Sequence, residues 1–97
     1  MVRLSIVIAT YNRSALLMQA LNSIVEQTFP RSEWECVVVN NNSSDDTASA
    51  FALFAEQHPE YNLRMVLEPN QGLSFARNRG IRESEGEYIA IVDDDER

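Results

Sequence analysis

Apolar and polar positions along this chain alternate between two rhythms. Residues 3–10 hold Leu4, Ile6, Val7 and Ile8 in a dense, β-branched run with little polar alternation, the pattern of a strand covered on both faces. Beyond it Leu17, Ala20, Leu21, Ile24 and Val25 recur at three- and four-residue spacing, which predicts a helix with one apolar stripe. Asn12 or Ser14 is placed to cap that helix, and Thr28-Phe29-Pro30 breaks it. The cycle then repeats. Residues 35–39 predict a second strand, 40–46 a polar loop, and 47–57 a second helix with Ala48, Phe51, Ala52 and Ala55 inward, stopped by His58-Pro59. Residues 63–67 predict a third strand, and Glu68-Pro69-Asn70-Gln71-Gly72 a turn. Ser74 is expected to cap a more polar third helix running towards Ser84, followed by Gly86 and a fourth strand over 88–92.

The resulting order is βαβαβαβ, with no linker and no low-complexity tract. Strands joined by helical crossovers pair in parallel through right-handed connections, so the expected fold is α/β: an open, mostly parallel, Rossmann-like sheet with helices on both faces. Such sheets bind ligands beyond the carboxyl ends of their strands. That rule selects Thr10-Tyr11-Asn12-Arg13, residues 40–46, residues 68–72 and Asp93-Asp94-Asp95, each rich in polar groups.

Length and charge narrow the picture. A chain of 97 residues with 44% hydrophobic content can bury one modest core and has no room for a second full domain. Its longest apolar runs fall far short of the ~20 residues that cross a bilayer. The first eight residues read as a strand, without the apolar centre and cleavage site of a secretory signal, so a cytoplasmic location is expected, at the cytoplasmic face of a membrane if regions outside this chain place it there. A net charge of −7 argues against sequence-independent binding to nucleic acid. All eight basic residues are arginines, and Arg77, Arg79 and Arg82 cluster where planar donors could meet a phosphate or a carboxylate. Cys36, the single cysteine, lies in an apolar run and reads as a small buried side chain. Trp34 is expected to pack at the start of the second strand, and His58, with no carboxylate near it in sequence, to be structural.

Asp93-Asp94-Asp95-Glu96 follows the fourth strand directly, which delivers several carboxylates to one rim of the sheet. Two such charges about 4 Å apart repel by roughly 1 kcal/mol in water and roughly 4 at the effective dielectric near a protein surface. A divalent cation removes that cost. Mg²⁺ or Mn²⁺, held by one or two carboxylates together with substrate phosphates, suits the cluster better than a Ca²⁺ cage, for which the loop spacing is absent. Taken alone, the cluster could equally be a solvated acidic end.

Four blocks change that balance: residues 5–13 (SIVIATYNR), 38–47 (VVNNNSSDDT), 70–81 (NQGLSFARNRGI) and 86–95 (GEYIAIVDDD). Together, and in this order, they resemble the family-2 glycosyltransferases of the GT-A fold. The resemblance implies that the chain is the nucleotide-sugar-binding portion of such an enzyme, ending just after an Asp-x-Asp motif. It implies that Thr10 and Tyr11 lie beside the base, with Tyr11 able to stack on it, and that Asn12, Asn40 and Asn41 belong to the nucleotide site. It further implies that Arg77 and Asn78 lie near the nucleotide, that Asp94 contributes to nucleotide binding, and that Asp93 and Asp95 hold Mn²⁺ or Mg²⁺ against the diphosphate. Arg79 and Arg82 are expected to face solvent, and Asp45 or Asp46 to start the second helix rather than to meet ribose.

Two positions depart from the family pattern. Asn40 stands where Asp is usual; its amide can both accept and donate, so uracil recognition survives while the identity of the base becomes open. Ala9 stands where proline is common, which alters chain stiffness more than chemistry. The implied reaction transfers a sugar from a nucleoside diphosphate sugar, UDP by expectation, to an acceptor hydroxyl on a glycan, lipid or small molecule, with inversion. The catalytic base and the acceptor half are expected beyond Arg97, so the chain should bind donor and transfer nothing, and its uncovered sheet edge should favour self-association. The rival readings are a nucleotidyltransferase, whose glycine-rich loop after the first strand is missing from Thr10-Tyr11-Asn12-Arg13, and a non-catalytic α/β interaction module.

Overall fold

The computed structural model describes residues 2–27 and 30–93, the last of these through its backbone. Strands and helices alternate as β1 (Leu4–Thr10), α1 (Ser14–Val25), β2 (Trp34–Asn40), α2 (Thr47–Gln57), β3 (Leu63–Leu67), α3 (Leu73–Glu83) and β4 (Tyr88–Asp93), and a single 3-10 turn, Arg31–Glu33, leads into β2. Each helix carries the chain back to the same end of the sheet. All three strand pairs are therefore parallel, in the order β3-β2-β1-β4. The two central strands, β1 and β2, carry the densest β-branched runs, and β2 is buried along its whole length. Continuous apolar runs of this kind fit positions covered on both faces.

On one face Ile8, Trp34, Cys36 and Val38 pack against Leu17 and Leu21 of α1 and Phe51 and Phe54 of α2. On the other, Val7, Ala9, Val37 and Val39 meet Ala76 of α3. Helix α3 is the polar one, and it approaches the sheet through small residues. A Cβ built on Gly80 would stand 2.3 Å from Val7 Cγ1 and 3.2 Å from Val39 Cγ2, so the helix backbone rests almost directly on the strands.

The expected fold class is observed, with helices on both faces. Local details differ from the sequence reading. Phe54 rather than Ala48 or Ala52 joins Phe51 in the core, because a phenylalanine three residues on shares its stripe and buries far more apolar area than alanine. None of the expected side-chain caps at α1 and α3 forms: Arg13 and Gly72 occupy the N-cap positions, and Ser14 and Ser74 lie inside the first turns. Asn12 is diverted because its carbonyl is used by a neighbouring loop. Trp34 is buried at the start of β2, as expected. His58 stacks on Phe54 with ring centroids 4.2 Å apart and its Nδ1 lies 2.9 Å from the Phe54 carbonyl oxygen, a structural role at the end of α2. Cys36 is buried; burial and then the nearby Glu35 charge push its thiol up to about 12, so it stays protonated at neutral pH. Outer strand β4 leaves Tyr88, Ile89, Ile91 and Val92 exposed.

A carboxylate is buried in this apolar frame. Glu35, 1% exposed, accepts from Ser5 Oγ at 2.6 Å and from the Glu85 N–H at 2.7 Å, and its other oxygen pairs with Arg64 at 3.1 Å. Ser5 Oγ in turn accepts from the Gly86 N–H at 2.8 Å. Burial alone would raise the Glu35 carboxyl, but the bonds from Ser5, Glu85 and Arg64 outweigh it and hold the group below its usual range.

Two outcomes follow from this packing. Gly80→Ala should destabilise the fold by about 1–3 kcal/mol through overpacking against Val7, read as a lower urea midpoint at unchanged slope. Because the folded Glu35 is depressed, its stabilising contribution is present above the unfolded value and is lost as pH falls through the folded one. Unfolding free energy should therefore decline on acidification below about pH 4.3. Glu35→Gln should be less stable at neutral pH and show a shallower acid loss; equal pH profiles for the two proteins would remove this account.

Candidate functional site

The carboxyl ends of all four strands meet one edge. Thr10, Asn40 and Leu67 are successive partners across β1, β2 and β3, and β4 brings Asp93 level with Ala9. Backbone pairing continues past the strands, with Asn41 N–H donating to Thr10 O and Glu68 N–H to Asn40 O, each at 2.9 Å.

The loops beyond this edge are stitched by short polar side chains. Asn12, in a left-handed conformation at φ 51°, accepts through Oδ1 from the N–H groups of Ser44 at 2.8 Å and Asp45 at 3.2 Å, while its own N–H donates to Ser43 Oγ at 2.9 Å. Asparagine tolerates this conformation better than most residues. Asn40 Oδ1 accepts the Ser43 N–H at 2.9 Å, turning the chain at Asn42, which is also left-handed. Asp45 accepts from both the hydroxyl and the N–H of Thr47, and so starts α2, although Asp46 holds the formal cap position. The Thr47 hydroxyl is the main cause that holds the Asp45 carboxyl low. Across the edge, Asn41 anchors the 68–72 loop, and Gly72 adopts φ 138°, a backbone region nearly closed to residues with a Cβ.

Between the β1–α1 and β3–α3 loops lies a cleft of 240 Å³, lined by Thr10, Tyr11, Arg13, Asn41, Gln71 and Gly72 among others. This is smaller than the roughly 300–1,000 Å³ of pockets that engulf a whole ligand, so it would hold one part of a longer molecule. The Tyr11 ring is exposed over it, and the buried Thr10 hydroxyl has no hydrogen-bond partner among the described residues. A larger hollow, of 640 Å³, opens at the opposite edge beside Arg31, Trp34 and Tyr61. It lies at the amino ends of the strands, away from the edge where parallel sheets place their sites.

Of the residues singled out in the sequence, the cleft gathers Thr10, Tyr11 and Asn41. Asn12 and Asn40 support the loops behind it, with both carbonyls bonded to loop N–H groups. Arg77 and Asn78 sit one turn into α3, Arg77 half-buried and Asn78 exposed. Asp93 reaches this edge through its backbone, while Asp94 and Asp95 lie outside the described residues. Arg79 does not simply face solvent: it pairs with buried Glu68 at 3.4 Å and with Glu83 at 3.3 Å, because a carboxylate buried at the end of β3 needs a cation within reach. Arg82 is exposed, as expected. The sequence reading selected the segments that carry Arg13 and Gln71 but gave neither residue a role in the site. Arg13 stood inside the first family-like block, and its placement directly after Tyr11 and Asn12 was the available signal.

Comparison with known proteins identifies the class. The family described as "Glycosyl transferase family 2" matches residues 5–97, and the chain belongs to that family. It is 36% identical over 94% of its length to glycosyltransferase AglE of Haloferax volcanii, covering 30% of that protein. It is 34% identical over 99% of its length to the poly(ribitol-phosphate) beta-N-acetylglucosaminyltransferase TarS of Staphylococcus aureus, covering 17% of it. Among solved structures, the mannosyltransferase PcManGT of Pyrobaculum calidifontis, in complex with GDP-Man and Mn²⁺, superposes with a TM-score of 0.91 at 38% identity, over 96% of this chain and 27% of that one. TarS residues 1–349 in complex with UDP superpose with a TM-score of 0.83 at 30% identity, over 96% of this chain and 27% of that one. The chain thus spans less than a third of the length of these relatives. No helix among the described residues is long and apolar enough to cross a membrane.

Proposed function

We propose that this chain is the donor-binding part of a metal-dependent, inverting glycosyltransferase that takes a nucleoside diphosphate sugar and passes the sugar to an acceptor hydroxyl on a glycan, lipid or small molecule, in the cytoplasm. The observation that carries the reading is the cleft at the carboxyl edge of a parallel sheet, walled by Thr10, Tyr11 and Gly72, in a chain of this family. Tyr11 stacks on the base, and the Thr10 hydroxyl supplies a polar partner beside it. Arg13 and Arg77 offer bidentate donors to the diphosphate, with Asn78 next to it. UDP is the expected nucleotide; GDP is the alternative favoured by the complex of PcManGT with GDP-Man.

The donor chemistry suits a divalent cation. Strand β4 ends at Asp93, level with Ala9 in the cleft wall, and Asp94 and Asp95 follow in sequence. Asp93 and Asp95 would hold Mn²⁺ or Mg²⁺, and Asp94 would contribute to nucleotide binding. A cation held by these residues would supply charge neutralisation for a departing diphosphate. The chain's own groups orient the donor.

Titration with UDP and with GDP, each with and without Mn²⁺, tests the reading. Metal-dependent binding of one nucleotide is expected, weakened tenfold or more in Asp93→Asn and Asp95→Asn, and weakened by about 1–3 kcal/mol in Tyr11→Ala through lost stacking. Binding indifferent to the metal and to all three substitutions would sink it. The exposed apolar side chains of β4 support self-association of the chain; sedimentation showing a clean monomer at high concentration would count against that part.

A further inference from the structure

The side chain of Asn41, just past β2 and 6% exposed, makes three hydrogen bonds to a single loop. Its Nδ2 donates to the Glu68 carbonyl at 3.0 Å and to the Asn70 carbonyl at 2.9 Å, while its Oδ1 accepts the Gly72 N–H at 2.9 Å. The partners fix the orientation of the amide, since two carbonyls require the nitrogen and an N–H requires the oxygen. On the other side, the Asn41 backbone N–H donates to Thr10 O at 2.9 Å.

We propose that Asn41 is a positioning residue for the donor cleft: it spans from the Thr10 wall to the 68–72 loop and sets the separation of the two. This rests on reading the cleft as the donor site. The loop cannot order itself through its own backbone. Pro69 has no N–H to give, and Gly72 holds a φ that breaks regular pairing. Glu68 Oε2 restrains the Asn70 N–H at 3.0 Å, but the carbonyls of Glu68 and Asn70 and the N–H of Gly72 all converge on the one amide. Two donors and an acceptor on a single short planar group are what asparagine provides. Aspartate has the same shape but no donors, and would set a carboxylate against two carbonyl oxygens. Asn41 thus acts on the ligand by placing Gly72 and Gln71, which line the cleft beside it.

The test compares the chain with Asn41→Asp and Asn41→Ala by two readouts: amide hydrogen exchange at Gly72 and Asn70, and titration with Mn²⁺ and whichever of UDP or GDP the unsubstituted chain binds. Faster exchange at Gly72 is expected in both variants, with protection in β1 and β2 retained. The nucleotide dissociation constant should rise about tenfold or more, since a shift of an ångström in a positioning group is enough to produce such losses. Asn41→Asp preserves volume, so it remains informative if Asn41→Ala fails to fold. Unchanged exchange at Gly72 overturns the proposal, and so does a loosened loop with undiminished nucleotide affinity. If the unsubstituted chain binds neither nucleotide, the donor reading falls and takes this role with it, an outcome distinct from a variant that binds as well as the parent.

Discussion

The buried carboxylate of Glu35 is the constraint around which the α3 side of the molecule is arranged. A charge in an apolar interior is tolerated only when its partners are all in place, and removing one leaves a penalty of several kcal/mol. Here the partners come from β1 through Ser5, from β3 through Arg64 and from the turn before β4 through the Glu85 N–H. Satisfying one side chain therefore fixes the relative positions of three separate segments at the amino edge of the sheet.

From Glu35 the ionic contacts run along α3 towards the other edge. Arg64 pairs with Glu35 and with Glu83; Glu83 also pairs with Arg79, one turn earlier on the helix, and Arg79 reaches Glu68 at the end of β3. This explains how a helix poor in apolar residues stays on the sheet. Ala76 and Gly80 allow close approach, and the charges at its flank supply the lateral hold that a wide apolar stripe would otherwise provide. Glu68 ends the series beside the cleft, where its second oxygen restrains the Asn70 N–H.

At that edge the working parts are loops, and their order comes from asparagines. Asn12, Asn40 and Asn41 each use the side-chain carbonyl to accept a backbone N–H from a loop. Asn40 and Asn41, which the family resemblance places at the nucleotide site, also tie the loops together. Asn40 closes a turn onto Ser43, Asn42 takes the left-handed conformation within that turn, and Asn41 crosses to the 68–72 loop. The polar side chains that line the cleft are those of Thr10, Tyr11, Arg13, Asn41 and Gln71.

The alternation of β-branched runs with helical stripes determined the fold by itself. Each element's burial is written into its own period, and crossover connections leave parallel pairing as the solution, so β1 to β4 were legible to within one residue at either end, as was the edge that bears the cleft. The family blocks likewise named the residues around the cleft. Only the tertiary structure decided how those residues divide the labour. Whether Asn12 caps α1 or ties down the loop after β2, whether Arg79 meets solvent or Glu68, and which loop Asn41 ties down depend on neighbours about thirty positions away in the chain or on a burial no local pattern records. A polar side chain can satisfy its hydrogen bonds in several ways at similar cost. The choice falls to whichever unpaired backbone group the folded chain brings within 3 Å.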